Sequence, residues 1–430
     1  MDRLKKMRPG RFLVLGFALV IFLGAVLLFL PISHNIGVDV SFIDALFTST
    51  SAVCVTGLIT VDTADAYNVF GRTVIAILIQ IGGLGVASVG VSFILLARKK
   101  VTFKDRVLVK EALNLDTMKG IVKLVKAVLI TTICFESIGA VLSFAVFSRH
   151  MPFWNAVGTS IFHAVSSFNN AGFDVLGGFR SLIGYEGNVL LNLTTCGLII
   201  FGGLGFVVIK EIINKHHFRK FSLHTKIVIT MTAFLLISGT LLIKLTEKVT
   251  WLGAFFFSTS ARTAGFATYN VGLFTDAGLF ILVILMFIGA SPGSTGGGIK
   301  TTTAFTMLKS VYSVSTNQHC SCFKRKIPMD IIHRAFIITL LAASVVFVNT
   351  FIISILEPEA TFIQVLFEVV SGFGTVGLST GITPDLHFAS KVILILTMFI
   401  GRLGPLTIAT LWYFRPMPNI SYSEETITIG

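Results

Sequence analysis

The chain has 430 residues, of which 54% are hydrophobic and 13% charged, against about 25% charged in an average soluble domain. This composition excludes water as the main solvent and points to an integral membrane protein. The formal charge of +13 does not indicate nucleic acid, because the bases gather at the N-terminus and in alternate loops.

Crossing a hydrocarbon core takes about 20 apolar residues per helix. In chain order, eight segments reach that length, beginning near Phe12, Gly71, Lys123, Asn188, His224, Thr275, Ile331 and Phe388. The first, Phe12 to Leu30, follows Arg3, Lys5, Lys6, Arg8 and Arg11 as a signal peptide would. No clear small-residue cleavage site follows Pro31, so it is read as a retained span. Later basic loops hold Arg98, Lys99, Lys100, Lys104, Arg106, Lys110 and Lys119, then Lys215, Arg219 and Lys220, then Lys324, Arg325 and Lys326. The alternate loops carry Asp39, Asp62, Asp65, Asp174, Glu186, Asp276, Glu357, Glu359 and Asp385 with few bases. This positive-inside pattern places both termini in the cytoplasm. Cys54, Cys134, Cys196, Cys320 and Cys322 are odd in number and scattered, so no disulfide framework is expected. His319, Cys320 and Cys322 lack further ligands at a metal-binding spacing.

Between consecutive spans, on the acidic side, lie four short apolar segments: LFTSTSAVCVTGL, IFHAVSSFNNAGF, FFFSTSARTAGF and LFEVVSGFGTVGL. They superpose without a gap on Gly57, Gly172, Gly265 and Gly377. Ten residues before each glycine stands Phe47, Phe162, Phe255 or Phe367, and six before it a hydroxyl, Ser51, Ser166, Thr259 or Ser371. A second register follows in the next span: Ile81-Gly82-Gly83-Leu84-Gly85, Phe201-Gly202-Gly203-Leu204-Gly205, Ile288-Gly289-Ala290 and Ile400-Gly401-Arg402-Leu403-Gly404. The chain is thus four repeats of span, short helix, glycine loop and span, over residues 1–97, 98–220, 221–326 and 327–430. The fold expected is all-α and integral to the membrane: eight transmembrane helices and four half-membrane pore helices around a pseudo-fourfold pore. Short helices of about a dozen residues cannot cross a bilayer. Backbone that leaves a helix at membrane depth must be surrounded by protein or line a wet cavity, so the four loops are expected to converge on one axis.

Such an axis suits a cation. Rings of backbone carbonyls replace a lost hydration shell, and glycine permits the backbone conformation that aims successive carbonyls inward. The C-terminal ends of the short helices add partial negative charge. Glycines that merely allowed close helix packing would have no reason to fall in one register.

These residues resemble the Trk/Ktr/HKT superfamily of potassium transporters, over nearly the whole chain. The resemblance implies four filter strands: Val55-Thr56-Gly57, Asn170-Ala171-Gly172, Thr263-Ala264-Gly265 and Thr375-Val376-Gly377. Thr375-Val376-Gly377 looks like the start of a potassium-channel signature, with Leu378 in place of the tyrosine. Eight spans and the tail from Ile420 through Ser421, Tyr422, Ser423, Glu424 and Glu425 to Gly430 are similar to the KtrB-type membrane subunits of bacterial Ktr systems. That implies a bacterial plasma-membrane location and contact with lipid. It also implies a homodimer with one pore per subunit, seated on a cytosolic RCK-type, KtrA-like ring that binds ATP or ADP. Potassium is then the substrate, with sodium as an accompanying ion, and nucleotide binds only the partner. No cofactor in this chain, no nucleic acid and no catalysed chemistry are expected.

The span after Gly265 is interrupted by Gly289-Ala290-Ser291-Pro292-Gly293-Ser294-Thr295-Gly296-Gly297-Gly298-Ile299-Lys300. No helix tolerates this run, since interior Pro and Gly cost about 3 and 1 kcal/mol. It resembles the family's intramembrane gate loop beneath the filter. A nucleotide-binding P-loop is the disfavoured rival reading, because Ile299 separates Gly298 from Lys300 and the run interrupts a hydrophobic span instead of following a strand. Arg402, ionisable at membrane depth, is expected to face this loop and donate to its carbonyls. Glu136, His163 and Glu368 are read as buried supports, and Arg262 as a brace behind the filter with Glu368 a candidate partner. The alternatives are a secondary transporter of a small organic solute, which also uses repeats and broken helices, and a membrane enzyme, for which no nucleophile, base and orienter group together.

Overall fold

The computed structural model describes residues 9–96, 101–112, 120–413, 423 and 425. The bases from Arg3 to Arg8, Arg98 to Lys100 and Lys119, and most of the tail from Ile420 to Gly430, lie outside these residues.

Among the described residues, four helices are long and apolar enough to cross a membrane unaided: the first spans Pro9–Phe29, Ile121–Phe147, Leu223–Thr246 and Met329–Leu356. Much of their apolar surface faces outward, with Leu19, Ile133, Ile237 and Phe347 each more than half exposed. That is the surface a hydrocarbon solvent selects, because such a solvent exerts no drive to hide it. Each first span packs on the short helix of its own repeat, Phe42–Val53, Phe153–Phe168, Trp251–Ser260 and Phe362–Gly374. At 12, 16, 10 and 13 residues and about 1.5 Å per residue, none can cross a core about 30 Å thick. Three of the four begin at a hydroxyl N-cap: Ser41, Thr250 and Thr361, the last in a full capping box with Gln364. These caps satisfy amides that a bilayer could not.

The core sits around the short helices, where Phe47 and Phe367 have no exposure and Phe162 is buried. In repeat 3 the neighbouring Phe256 and Phe257 are buried, and the aligned Phe255 is half-buried.

The second spans depart from the expectation of continuous helices outside repeat 3. Val69–Leu84 is followed, after Gly85, by a helix bent away by 99°, and Val189–Leu204 is followed, after Gly205, by one bent by 97°. Phe388–Leu403 likewise ends at Gly404 before Pro405–Tyr413. The three glycines have φ of +81°, +93° and +87°, values at which a helix cannot continue. The Leu-Gly that closes the second register in repeats 1, 2 and 4 therefore encodes a break, which repeat 3 widens into a loop between Asp276–Phe287 and Thr301–Ser315. The eight expected starts lie within three residues of observed helix starts.

Candidate ion pathway

The four glycine loops meet at one axis, and their contacts close a ring. A Cβ placed on Gly57 would fall 2.5 Å from the carbonyl oxygen of Ala171, and one on Gly172 2.5 Å from that of Ala264. One on Gly265 would strike the carbonyl of Val376, and one on Gly377 that of Thr56. Each strand thus leans on the next, in the order 1, 2, 3, 4 and back to 1. The glycines have φ of +93°, +69°, +84° and +94°, so both conformation and space forbid a side chain there. All twelve expected strand residues, Val55 to Gly57, Asn170 to Gly172, Thr263 to Gly265 and Thr375 to Gly377, are brought together, and all but the partly exposed Gly377 are buried.

Sequence reasoning did not foresee that the first residue of every strand is left-handed as well: Val55 at +52°, Asn170 at +57°, Thr263 at +78° and Thr375 at +50°. Non-glycine residues held there cost about 1–3 kcal/mol each, and four in one register show that the surroundings over-determine the strand. Part of that constraint comes from the aligned hydroxyls. Ser51 Oγ accepts from the Gly57 N–H at 2.9 Å and Ser371 Oγ from the Gly377 N–H at 3.0 Å. In repeat 3 the role shifts by one residue: Ser260, not Thr259, receives the strand amides on its carbonyl and donates its hydroxyl to Phe266 O at 2.5 Å. Across strands 2 and 3 the Asn170 side chain bonds the Thr263 hydroxyl at 3.0 Å.

The second register has its own contact. Gly82, Gly202 and Gly401 press on the carbonyls of Val53, Phe168 and Phe373 near the end of their own short helices, with no room for a methyl group. These glycines let the second span approach the point where the glycine strand begins.

Beneath the strands the segment from Gly289 to Lys300 crosses the axis. Gly297 N–H donates to Thr375 Oγ1 at 3.0 Å, and a Cβ on Gly296 would collide with the Thr263 hydroxyl. Ser291 N–H donates to Gly203 O at 3.0 Å, while Gly293 O accepts from Phe206 N–H at 3.0 Å. Gly289 lies against Gly297 and Gly298, Ala290 O accepts from Thr301 N–H, and Lys300 Nζ donates to the carbonyls of Gly296 and Gly297 at 2.8 and 3.3 Å. Arg402 donates to Thr295 O in the loop and to Gly82 O and, at 3.3 Å, Gly83 O in repeat 1. The expected contact between Arg402 and loop carbonyls is therefore present, and the side chain also ties repeat 4 to repeat 1.

Two cavities lie on opposite sides of the strands and the loop. An outer one of about 450 Å³ is lined by the four glycines together with Asp174 and Asp385. An inner one of about 220 Å³ is lined by Pro292, Gly293, Ser294, Lys300 and Arg402. Burial, reinforced by nearby Asp62 and against the pull of the Leu176 N–H, pushes the Asp174 carboxyl up to about 6.

Arg262 does not pair with Glu368. The Glu368 carboxylate is taken up by Ser379, Thr380 and Thr383, and Arg262 is buried beside Thr232 and Thr259 in repeat 3. Both side chains are buried, as expected of supports, but the sequence carried no sign of whether they are close. Glu136 bonds the Asn169 side chain at 2.9 Å, and His163 bonds Thr195 at 2.9 Å, both behind strand 2. Among the described residues no group of three or more His, Cys, Asp and Glu side chains is placed to hold a metal ion.

A family model described as TrkH, cation transport protein, matches residues 20–250 and 221–422. The chain is 39% identical to the potassium/sodium uptake protein NtpJ of Enterococcus hirae, over 99% of this chain and 98% of that one. It is 39% identical to the Ktr system potassium uptake protein B of Bacillus subtilis, over 98% and 97%. The protein of that name from Vibrio alginolyticus is 36% identical over 100% and 96%. The crystal structure of the potassium transporter TrkH from Vibrio parahaemolyticus superposes with a TM-score of 0.75 at 19% identity, covering 95% of this chain and 86% of that one. At that identity the likeness speaks for the fold.

Proposed function

This chain belongs to the TrkH family of cation transport proteins, membrane transporters rather than enzymes, and from that premise we propose that it takes up potassium across a bacterial plasma membrane. The observation that carries the reading is the closed ring of four left-handed glycines, each seated against the carbonyl of the next strand. Carbonyls of Val55, Thr56 and Gly57 and of their counterparts in the other three strands replace the ion's hydration shell. The run Gly289 to Lys300, pinned by Arg402, is the gate: the glycines let its backbone change course, and Arg402 holds the closed arrangement. Both termini are cytoplasmic, by the distribution of bases. The names of the relatives support sodium as an accompanying ion and a Ktr-type system with further subunits. On this reading the chain forms a homodimer on a cytosolic RCK-type ring whose ATP or ADP biases the gate, and it holds no cofactor of its own.

The test is rubidium uptake into liposomes holding the purified protein, with potassium, sodium and small organic solutes as competitors. Uptake suppressed by potassium far more than by sodium, and raised when Gly296 to Gly298 are deleted, is the expected result. Absence of cation flux in both forms, with competition by a solute, overturns it in favour of an organic-solute transporter.

A further inference from the structure

We infer that Glu368 sets the ion preference of the fourth filter strand by fixing its outer end, an inference that rests on the filter reading above. Glu368 stands nine residues before Gly377, on the short helix behind the strand. The same register position holds Thr48, His163 and Phe256 in the other repeats, so a carboxylate there is peculiar to repeat 4. The side chain is 1% exposed and meets no cation: among the described residues the ion pairs are Lys215 with Glu211 and Lys391 with Asp44.

Its four hydrogen bonds all come from the segment that follows the filter glycine. Oε1 accepts from Ser379 Oγ at 2.8 Å, Thr380 N–H at 2.8 Å and Thr380 Oγ1 at 3.0 Å, and Oε2 accepts from Thr383 Oγ1 at 2.7 Å. A buried carboxylate without a counter-ion is tolerated only when donors surround it, and here the donors are the strand's own continuation. The inner end of the glycine is held by Ser371 Oγ on the Gly377 N–H at 3.0 Å. Two residues, Leu378 and Ser379, separate the amides held by Ser371 and Glu368. The Gly377 carbonyl, between the two anchors, is left little freedom to follow a smaller ion inward. Selectivity by a carbonyl ring depends on that stiffness and on the number of carbonyls in place. Glu368 touches no ion and is a positioning residue. The other repeats hold the same segment differently: in repeat 3, where the position is Phe256, Ala267 N–H donates to Ser181 Oγ of repeat 2 at 3.1 Å.

The experiment measures potassium against sodium competition for rubidium uptake in liposomes for E368A, E368Q, T383V and G377S, each first checked for yield and monodispersity. In E368A the potassium preference should fall by on the order of tenfold, the scale of one charge-assisted hydrogen bond converted to a ratio. In E368Q most of the preference should survive, since an amide oxygen can replace Oε1, and T383V should fall between. A monodisperse E368A with unaltered preference, beside a G377S that has lost it, overturns the inference. T383V serves the same purpose where E368A does not fold. Equal loss in E368Q and E368A overturns positioning and assigns the effect to charge, and a G377S that keeps its preference overturns the filter reading on which the inference stands.

Discussion

A hydroxymethyl group on the fourth glycine of the ring has nowhere to go. At Gly377 φ is +94°, and an added Cβ would lie 2.8 Å from Gly57 Cα and closer still to Thr56 O. Gly377→Ser should therefore displace strand 4 or strand 1 and cut the potassium-over-sodium preference by at least about tenfold, since roughly 1.4 kcal/mol of lost discrimination suffices for that. Rubidium uptake under sodium competition measures it, and an unchanged ratio in a well-expressed variant would falsify the assignment. The glycine was legible in the sequence because only glycine accepts that backbone at little cost, and four of them share a register. The left-handed Val55, Thr263 and Thr375 were not legible, because their strain is imposed by the short helix behind and the strand ahead, and a β-branched side chain carries no trace of it; only Asn170, of a type that tolerates this region, offered a hint. The same limit explains the failed pairing of Arg262 with Glu368. Opposite charges in the sequence suggest a bond, but the carboxylate finds four donors within 15 residues of itself, and the arginine sits in another repeat.

At the scale of elements, the second spans show what pattern alone cannot resolve. A hydropathy window passes smoothly over Gly85, Gly205 and Gly404, so three of the four breaks look like continuous helix; only the Pro and Gly run of repeat 3 is dense enough to be read as a loop. That loop is held where it is by few strong contacts. Arg402 supplies one of them, on Thr295 O, and its other two hydrogen bonds, to Gly82 O and Gly83 O, fix the guanidinium against repeat 1. Hydrogen bonds from a charged donor contribute about 1.5–3 kcal/mol each, so Arg402→Ala should shift the loop away from its closed position and raise basal uptake roughly tenfold. Arg402→Lys should recover only part of the closure, because an ammonium lacks the planar fork that serves carbonyls on two segments at once. Uptake in the absence of any cytosolic partner is the measurement, and flux equal to the parent protein in both variants would remove Arg402 from the gate.

For the whole molecule, four repeats in one chain must still close into a ring, and the last joint has no covalent link to help it. Repeats 1 and 4 meet where the short helix Phe42–Val53 packs on the second span Phe388–Leu403. There Lys391 Nζ lies 2.9 Å from Asp44 Oδ1, with the side chains only 13% and 16% exposed. Asp44 also accepts from Ser41 Oγ at 2.5 Å, so removing the lysine leaves a half-buried carboxylate with a single hydroxyl donor in place of a cation. Surface pairs contribute up to about 1 kcal/mol and broken buried ones cost about 3–5; the intermediate exposure places Lys391→Met at about 1–3 kcal/mol of lost stability. Thermal unfolding of the detergent-solubilised protein should show a lower midpoint for Lys391→Met and for Asp44→Asn. The double variant should fall short of the summed loss, because the second substitution removes a partner already missing. Strict additivity would mean that the two side chains do not hold the joint, and closure would then rest on apolar packing and on the leaning of strand 4 against Thr56 and Gly57. A ring closed through its filter in that way would couple stability to occupancy. The difference is measurable, because potassium would then raise the midpoint of the parent and of Lys391→Met by the same amount, as binding to the folded state alone requires.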